Sequence, residues 1–159
     1  MSTPAQRLET DRAKYPGMLV DEILIWKGWL ALNQTSYDGF QYNVRIGVGQ
    51  DPGEQFNQTY RDMAIALTKL RLDAVGWQGT LPTIFEVKRN AGPSNVGQLL
   101  TYDAVWRKNR LSNANPRLVI VCNIFQPNIS QVAIETGITI ETVAVNFSVL
   151  APQLPSSSK

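Results

Sequence analysis

The stretch Leu70 to Tyr102, LRLDAVGWQGTLPTIFEVKRNAGPSNVGQLLTY, decides the fold. Two apolar-rich segments, Leu70 to Val75 and Thr83 to Lys88, flank Gly76-Trp77-Gln78-Gly79-Thr80-Leu81-Pro82, the pattern of a β-hairpin with a modest connecting loop. Antiparallel pairing about that loop sets Asp73 opposite Glu86, and Lys88, two residues on, shares their face by the period-two rule. The other face then carries Leu70, Leu72, Ala74, Phe85 and Val87 for packing against a helix. A slip of one residue would drive the charges into that core, so the register is strongly specified.

Beyond the hairpin, Arg89 to Asn95 reads as a loop, and a helix is expected from Val96 to Arg107 with Ser94 or Asn95 as its cap. Gln98 and Tyr102 stand four apart, on one helical face, while Leu99, Leu100, Val105 and Trp106 supply the apolar side. Upstream, Tyr15 to Asn33 repeats apolar residues at three- and four-residue steps, with Pro16 suited to a first turn, and predicts a largely buried helix. Gln41 to Val48 alternates as a strand bounded by turns. Residues 54–68 favour a helix whose last part is also compatible with entry into a strand. Downstream, Arg117 to Cys122 reads as a buried strand, Ser130 to Glu135 as a short helix and Ile138 to Val145 as a further strand. The class is α/β: a central mixed β-sheet flanked by helices.

The 159 residues suit one domain with a full core. Its expected limits are residues 15–150, with a polar N-terminal arm over 1–14 and a Pro/Ser-rich tail over 151–159. No apolar stretch approaches the roughly 20 residues of a membrane span, and the start does not resemble a signal peptide. The expected location is cytoplasmic or virion-associated, without secretion. There are no histidines, which excludes Ser-His-Asp and Cys-His triads, His-ligated zinc and imidazole general bases. The single Cys122 lies in an apolar run and reads as a buried, inert thiol. Any catalysis must fall to carboxylates and lysine.

Charge is unevenly distributed. Residues 69–117 hold eight Lys/Arg against three Asp/Glu, a net +5, leaving −3 for the rest of a chain whose total is +2. A basic stretch coinciding with the polar constellation suits a polyanion, because phosphate contacts supply most non-specific nucleic-acid affinity. Asp73, Glu86 and Lys88 offer hard oxygen ligands for a divalent ion and a cation beside an attacking water, the groups that metal-assisted phosphodiester hydrolysis requires.

The order helix, strand, hairpin bearing Asp and Glu-x-Lys, helix, strand resembles the core of the PD-(D/E)XK nuclease superfamily, over roughly Tyr15 to Cys122. Gln98-Leu99-Leu100-Thr101-Tyr102 is similar to the Gln-x-x-x-Tyr motif of its RecB-type and lambda-exonuclease-type branches. The resemblance implies a restriction-endonuclease-like core and an Mg²⁺- or Mn²⁺-dependent deoxyribonuclease. It implies metal ligation by Asp73, Glu86 and the carbonyl of Val87, with Glu22 of the first helix as a further ligand. Lys88 would assist the attacking water, and Gln98 and Tyr102 would position the lysine, the water or a phosphate. Arg71, Arg89, Arg107 and Lys108 are the expected nucleic-acid contacts and DNA the expected partner.

Plainer readings stand beside these. Asp73 with Lys88 could be a structural cross-strand ion pair, Glu22 a solvated residue beside Asp21, and Tyr102 a core aromatic with a tethered hydroxyl. The superfamily also includes members that kept the fold as structural parts. A second expectation is therefore a phage virion assembly component, such as a head-to-tail connector or neck protein, contacting other virion or packaging proteins through its termini and forming an oligomer. It is motivated by the Pro/Ser tail and by aromatic segments around Trp77 and Trp106.

Overall fold

The computed structural model describes residues 9–12 and 14–151; most of the expected N-terminal arm and the tail beyond residue 151 lie outside the described residues. Five strands form one sheet in chain order: β1 (Gly39–Ile46), β2 (Leu70–Gln78), β3 (Leu81–Ala91), β4 (Arg117–Phe125) and β5 (Ile138–Thr142). β1, β2 and β3 are an antiparallel meander, whereas β3, β4 and β5 run parallel. The parallel connections are made by α3 (Pro93–Lys108) and α4 (Ile129–Thr136), and α1 (Val20–Asn33) precedes the sheet. α2 (Gln58–Thr68) joins β1 to β2 and buries none of its residues. The sheet is therefore mixed and flanked by helices, as the sequence predicts. No helix among the described residues is long and apolar enough to cross a membrane.

Two apolar clusters hold the layers together. On one face Ile25, Trp26, Trp29 and Leu30 of α1 pack on Ala74, Phe85, Val87, Val119 and Val121. Phe85 meets both indoles, with ring centroids 5.1 Å from Trp26 and 4.7 Å from Trp29. On the other face Val96, Leu99, Tyr102 and Trp106 of α3 and Ile129 and Ala133 of α4 cover Leu72, Val75, Ile84, Leu118 and Ile120. The buried positions of α1, Glu22, Ile25, Trp26, Trp29 and Leu30, repeat at the spacing of one helical stripe. Glu22 heads that stripe and so faces the sheet.

Several boundaries differ from those expected. α1 begins at Val20, not near Tyr15, because Pro16 and Gly17 form a turn in which Gly17 adopts φ +88°. The hairpin loop shrinks to Gly79 and Thr80, since Trp77 pairs with Pro82 and Gln78 with Leu81. α3 starts at Pro93, with Gly92 in the capping position and Asn95 already inside the first turn. β5 ends at Thr142, short of the expected Val145. Trp106 is buried, and Trp77 packs partly against it at 6.1 Å, so the two indoles do not form an exposed aromatic patch.

The largest departure is a change of faces within β1 and β2. Phe40, Tyr42 and Ala74 lie on the α1 side, whereas Val44, Ile46, Leu70 and Leu72 lie on the α3 side. Residues two apart in an ordinary strand share a face, so the expected continuous set of Leu70, Leu72, Ala74, Phe85 and Val87 is divided between the two cores. The inversion falls at Asn43, whose φ of 52° is left-handed, and at Asp73, which the register sets level with it. The register is the same on both sides of it, Tyr42 with Ala74 and Val44 with Leu72, but the Asn43–Asp73 rung between them is missing, so both strands invert together at one interrupted rung. Asparagine tolerates this conformation and β-branched residues resist it. Asn43→Val is expected to lower stability by about 1–2 kcal/mol in denaturant unfolding, and Asn43→Gly by less. Equal losses would mean that the Asn43 side chain, and not its backbone conformation, supports the inversion.

Candidate metal and nucleic-acid site

The ladder between β2 and β3 stops at Ala74 and Phe85, while β3 stays paired with β4 through Ala91 and Phe125. From Glu86 onward β3 therefore has an edge that faces a gap in the sheet. Asp73 is the next residue of β2 and lies level with Glu86, as the sequence predicts, but the two residues do not form another backbone rung. Asp73 Oδ2 instead accepts the Val87 N–H at 2.9 Å, so a side chain satisfies a buried backbone donor that a strand carbonyl would otherwise take.

Residues from both helical layers meet at this gap. From α1, Glu22 Oε2 accepts the Leu19 N–H at 2.8 Å, and Glu22 Oε1 lies 3.5 Å from Lys88 Nζ. Glu22 is only 6% exposed, which removes the reading of a solvated helix residue. Lys88 forms its salt bridge with Glu22, and no Asp73–Lys88 bridge occurs among the described residues. From α3, Asn95 Nδ2 donates to Glu86 Oε1 at 3.2 Å and to Gln98 Oε1 at 3.3 Å, and Gln98 Nε2 donates to the Tyr102 hydroxyl at 3.4 Å. Asn95 Oδ1 accepts the Gly92 N–H at 2.9 Å. Asn95 is thus a site residue that sequence reasoning treated only as a candidate cap. Its position three before Gln98, on the same helical face, was the available signal.

The electrostatics are those of crowded acids. Burial pushes the Asp73 carboxyl above its ordinary range, against the Val87 N–H that lowers it; the Glu22 charge raises it further, and Arg71 and Lys88 lower it. Burial raises Glu86 as well, reinforced by the Asp73 charge and opposed by the Asn95 hydrogen bond. Burial pushes the Tyr102 phenol up to about 12, with Glu86 and Asp73 adding to the effect. The Tyr102 phenol consequently stays protonated at neutral pH and keeps its O–H to donate while its oxygen accepts from Gln98. Cys122 is buried, as expected, and burial holds its thiol up at about 11.

The remaining basic residues are dispersed. Arg71 is exposed on β2, two residues from Asp73. Arg89 stacks over the Phe147 ring at 4.0 Å. Arg107 and Lys108 lie in the last turn of α3, which runs away from the gap, and Arg107 is paired with Asp103 at 2.8 Å. The structure brings Glu22, Asp73, Glu86, Lys88, Gln98 and Tyr102 together but leaves Arg107 and Lys108 at the far end of the helix.

In the unfolded chain the carboxyls of Asp73 and Glu86 titrate in the ordinary range near pH 4. Their raised folded-state values mean that folding favours the protonated forms, so the contribution of these two groups to stability is full below about pH 4 and is lost as both ionise. The thermal midpoint of the metal-free protein is expected to fall between about pH 5 and about pH 8, and Glu86→Gln to raise it at the upper end. Identical profiles for the two proteins would contradict this account. No protein-family model, no curated protein and no solved structure matches this chain.

Proposed function

We propose that this chain is a divalent-metal-dependent nuclease that hydrolyses DNA phosphodiester bonds at the gap between β2 and β3. The observation that carries the reading is the half-buried Asp73 level with the buried Glu86, where the Glu22 charge raises Asp73 and the Asp73 and Glu22 charges raise Glu86, with Lys88 as the adjacent ammonium. Three carboxylates, Glu22, Asp73 and Glu86, share this region, and the salt bridge at Lys88 answers only one of them. Such a donor set fits a divalent cation, which would relieve the repulsion that burial intensifies. Among the described residues no group of three or more His, Cys, Asp and Glu side chains already meets as a complete ligand set. Mg²⁺ does not need one, since it usually retains several waters and takes one or two carboxylates.

Asp73 and Glu86, with the Val87 carbonyl, would hold Mg²⁺ or Mn²⁺, and Glu22 would be a further ligand. When bound, the ion supplies Lewis-acid stabilisation of a phosphoryl oxygen and makes a water easier to ionise. The chain's own groups do the rest. The Lys88 side chain is 44% exposed and, among the described residues, salt-bridged to Glu22 alone, so it is free to donate to the attacking water or to the charge that develops on the phosphoryl oxygens. Gln98 is exposed at the mouth of the gap, where its amide and the protonated Tyr102 hydroxyl offer donors to a backbone phosphate. Asn95 holds Glu86 from behind and links it to Gln98.

Incubation of plasmid, linear and branched DNA with Mg²⁺ or Mn²⁺ is expected to give cleavage that chelation abolishes. Asp73→Ala and Lys88→Ala should each reduce the rate by at least about 100-fold while the proteins remain folded by circular dichroism. Absence of cleavage, or cleavage that survives both substitutions, overturns the proposal.

A further inference from the structure

Beyond the inversion at Asn43 and Asp73, β1 and β2 place Arg45 directly opposite Arg71. Like charges directly opposed across an antiparallel pair are unfavourable, yet no carboxylate bridges this pair among the described residues. Four bases elsewhere do have acids: Arg12 has Glu9, Arg61 has Asp51, Lys88 has Glu22 and Arg107 has Asp103. Arg45 Nη1 donates to the carbonyls of Ala66 at 3.0 Å and Leu67 at 3.4 Å. These belong to the last turn of α2, whose carbonyl end favours a cation and fixes the guanidinium in place. The Arg71 side chain has neither a hydrogen bond nor a salt bridge among the described residues, and both arginines are exposed. One cation is thus anchored with donors to spare, and its neighbour is free to move.

The location gives the pair a use. Arg71 is two residues from Asp73, about 7 Å along a strand, and its charge reaches both Asp73 and Tyr102. A strand of nucleic acid whose scissile phosphate lies at Asp73 and Glu86 would bring a neighbouring phosphate to the exposed arginines. Two guanidiniums present forked donors matched to phosphate oxygens, and an anion between them converts their repulsion into attraction.

We propose that Arg45 and Arg71 form a clamp for the backbone phosphate next to the scissile one, a subsite for a nucleic-acid phosphodiester. The clamp rests on the nuclease reading of the neighbouring carboxylates, and it is tested by binding separately from cleavage. Binding of a fluorescein-labelled DNA duplex, followed by anisotropy in the presence of Ca²⁺ over a series of salt concentrations, is the experiment. Arg71→Ala is expected to weaken binding several-fold and to reduce the salt slope by about one. Its thermal midpoint should be unchanged or higher, because one of two opposed like charges is gone. Arg71→Lys should restore the slope but not the full affinity, since an ammonium lacks the fork. Arg117→Ala removes the same charge at the opposite end of the sheet and is the control, expected to bind as the parent does.

Binding by Arg71→Ala with the parent's affinity and slope overturns the clamp; if the parent also cleaves DNA, the nuclease reading stands without it. A parent that does not cleave but loses one unit of slope on Arg71→Ala keeps the phosphate site while the catalytic reading fails. A parent that does not bind DNA at all overturns both.

Discussion

A carboxylate takes the place of a strand carbonyl at the point where β2 leaves β3. Asp73 accepts the Val87 N–H, and this single substitution ends the antiparallel ladder without leaving a buried donor unpaired. The consequences are spatial. β3 continues beside β4 with its other edge open, Glu86 and Lys88 lie along that edge, and the gap is held open by a side chain. Were the ladder to continue, Asp73 and Glu86 would be an ordinary cross-strand pair and the two strands would not part there.

The two cores then decide what surrounds the gap. The aromatic cluster of Trp26, Trp29 and Phe85 fixes α1 so that Glu22, at the head of its buried stripe, meets Lys88. The α3 core carries Asn95, Gln98 and Tyr102 to the opposite side. Packing thus assembles acids that repel each other, and burial magnifies the repulsion. Such a conflict between burial and local charge is common at functional sites, and the divalent ion proposed for the gap would relieve it.

Much of this was legible in the sequence because pairing about a hairpin is arithmetic: once Gly79 and Thr80 are near the turn, Asp73 must be level with Glu86. The same reasoning extended the period-two rule too far. Nothing in the alternation of Tyr42, Val44 and Ile46 signals that Asn43 adopts a left-handed conformation, so period two alone places Leu70, Leu72 and Ala74 of β2 on one face when they serve two. Trp77 and Pro82 looked like loop residues because Gly and Pro punctuate that segment, but cross-strand pairing carried the ladder past them. Asn95 was hidden by its suitability as a cap. Arg107 and Lys108 entered through composition, which has no direction, whereas α3 runs away from the site. The Arg45–Arg71 opposition required the β1–β2 register, which a helix of intervening sequence conceals.

Crystals of the protein soaked with Mn²⁺ and measured at the manganese absorption edge offer the most direct test. The account expects one anomalous peak between the Asp73 and Glu86 carboxylates, beside the Val87 carbonyl, with the Lys88 ammonium nearby. Crystals that take up no manganese at the gap, with Lys88 or a neighbouring base instead neutralising Asp73 and Glu86, would contradict it.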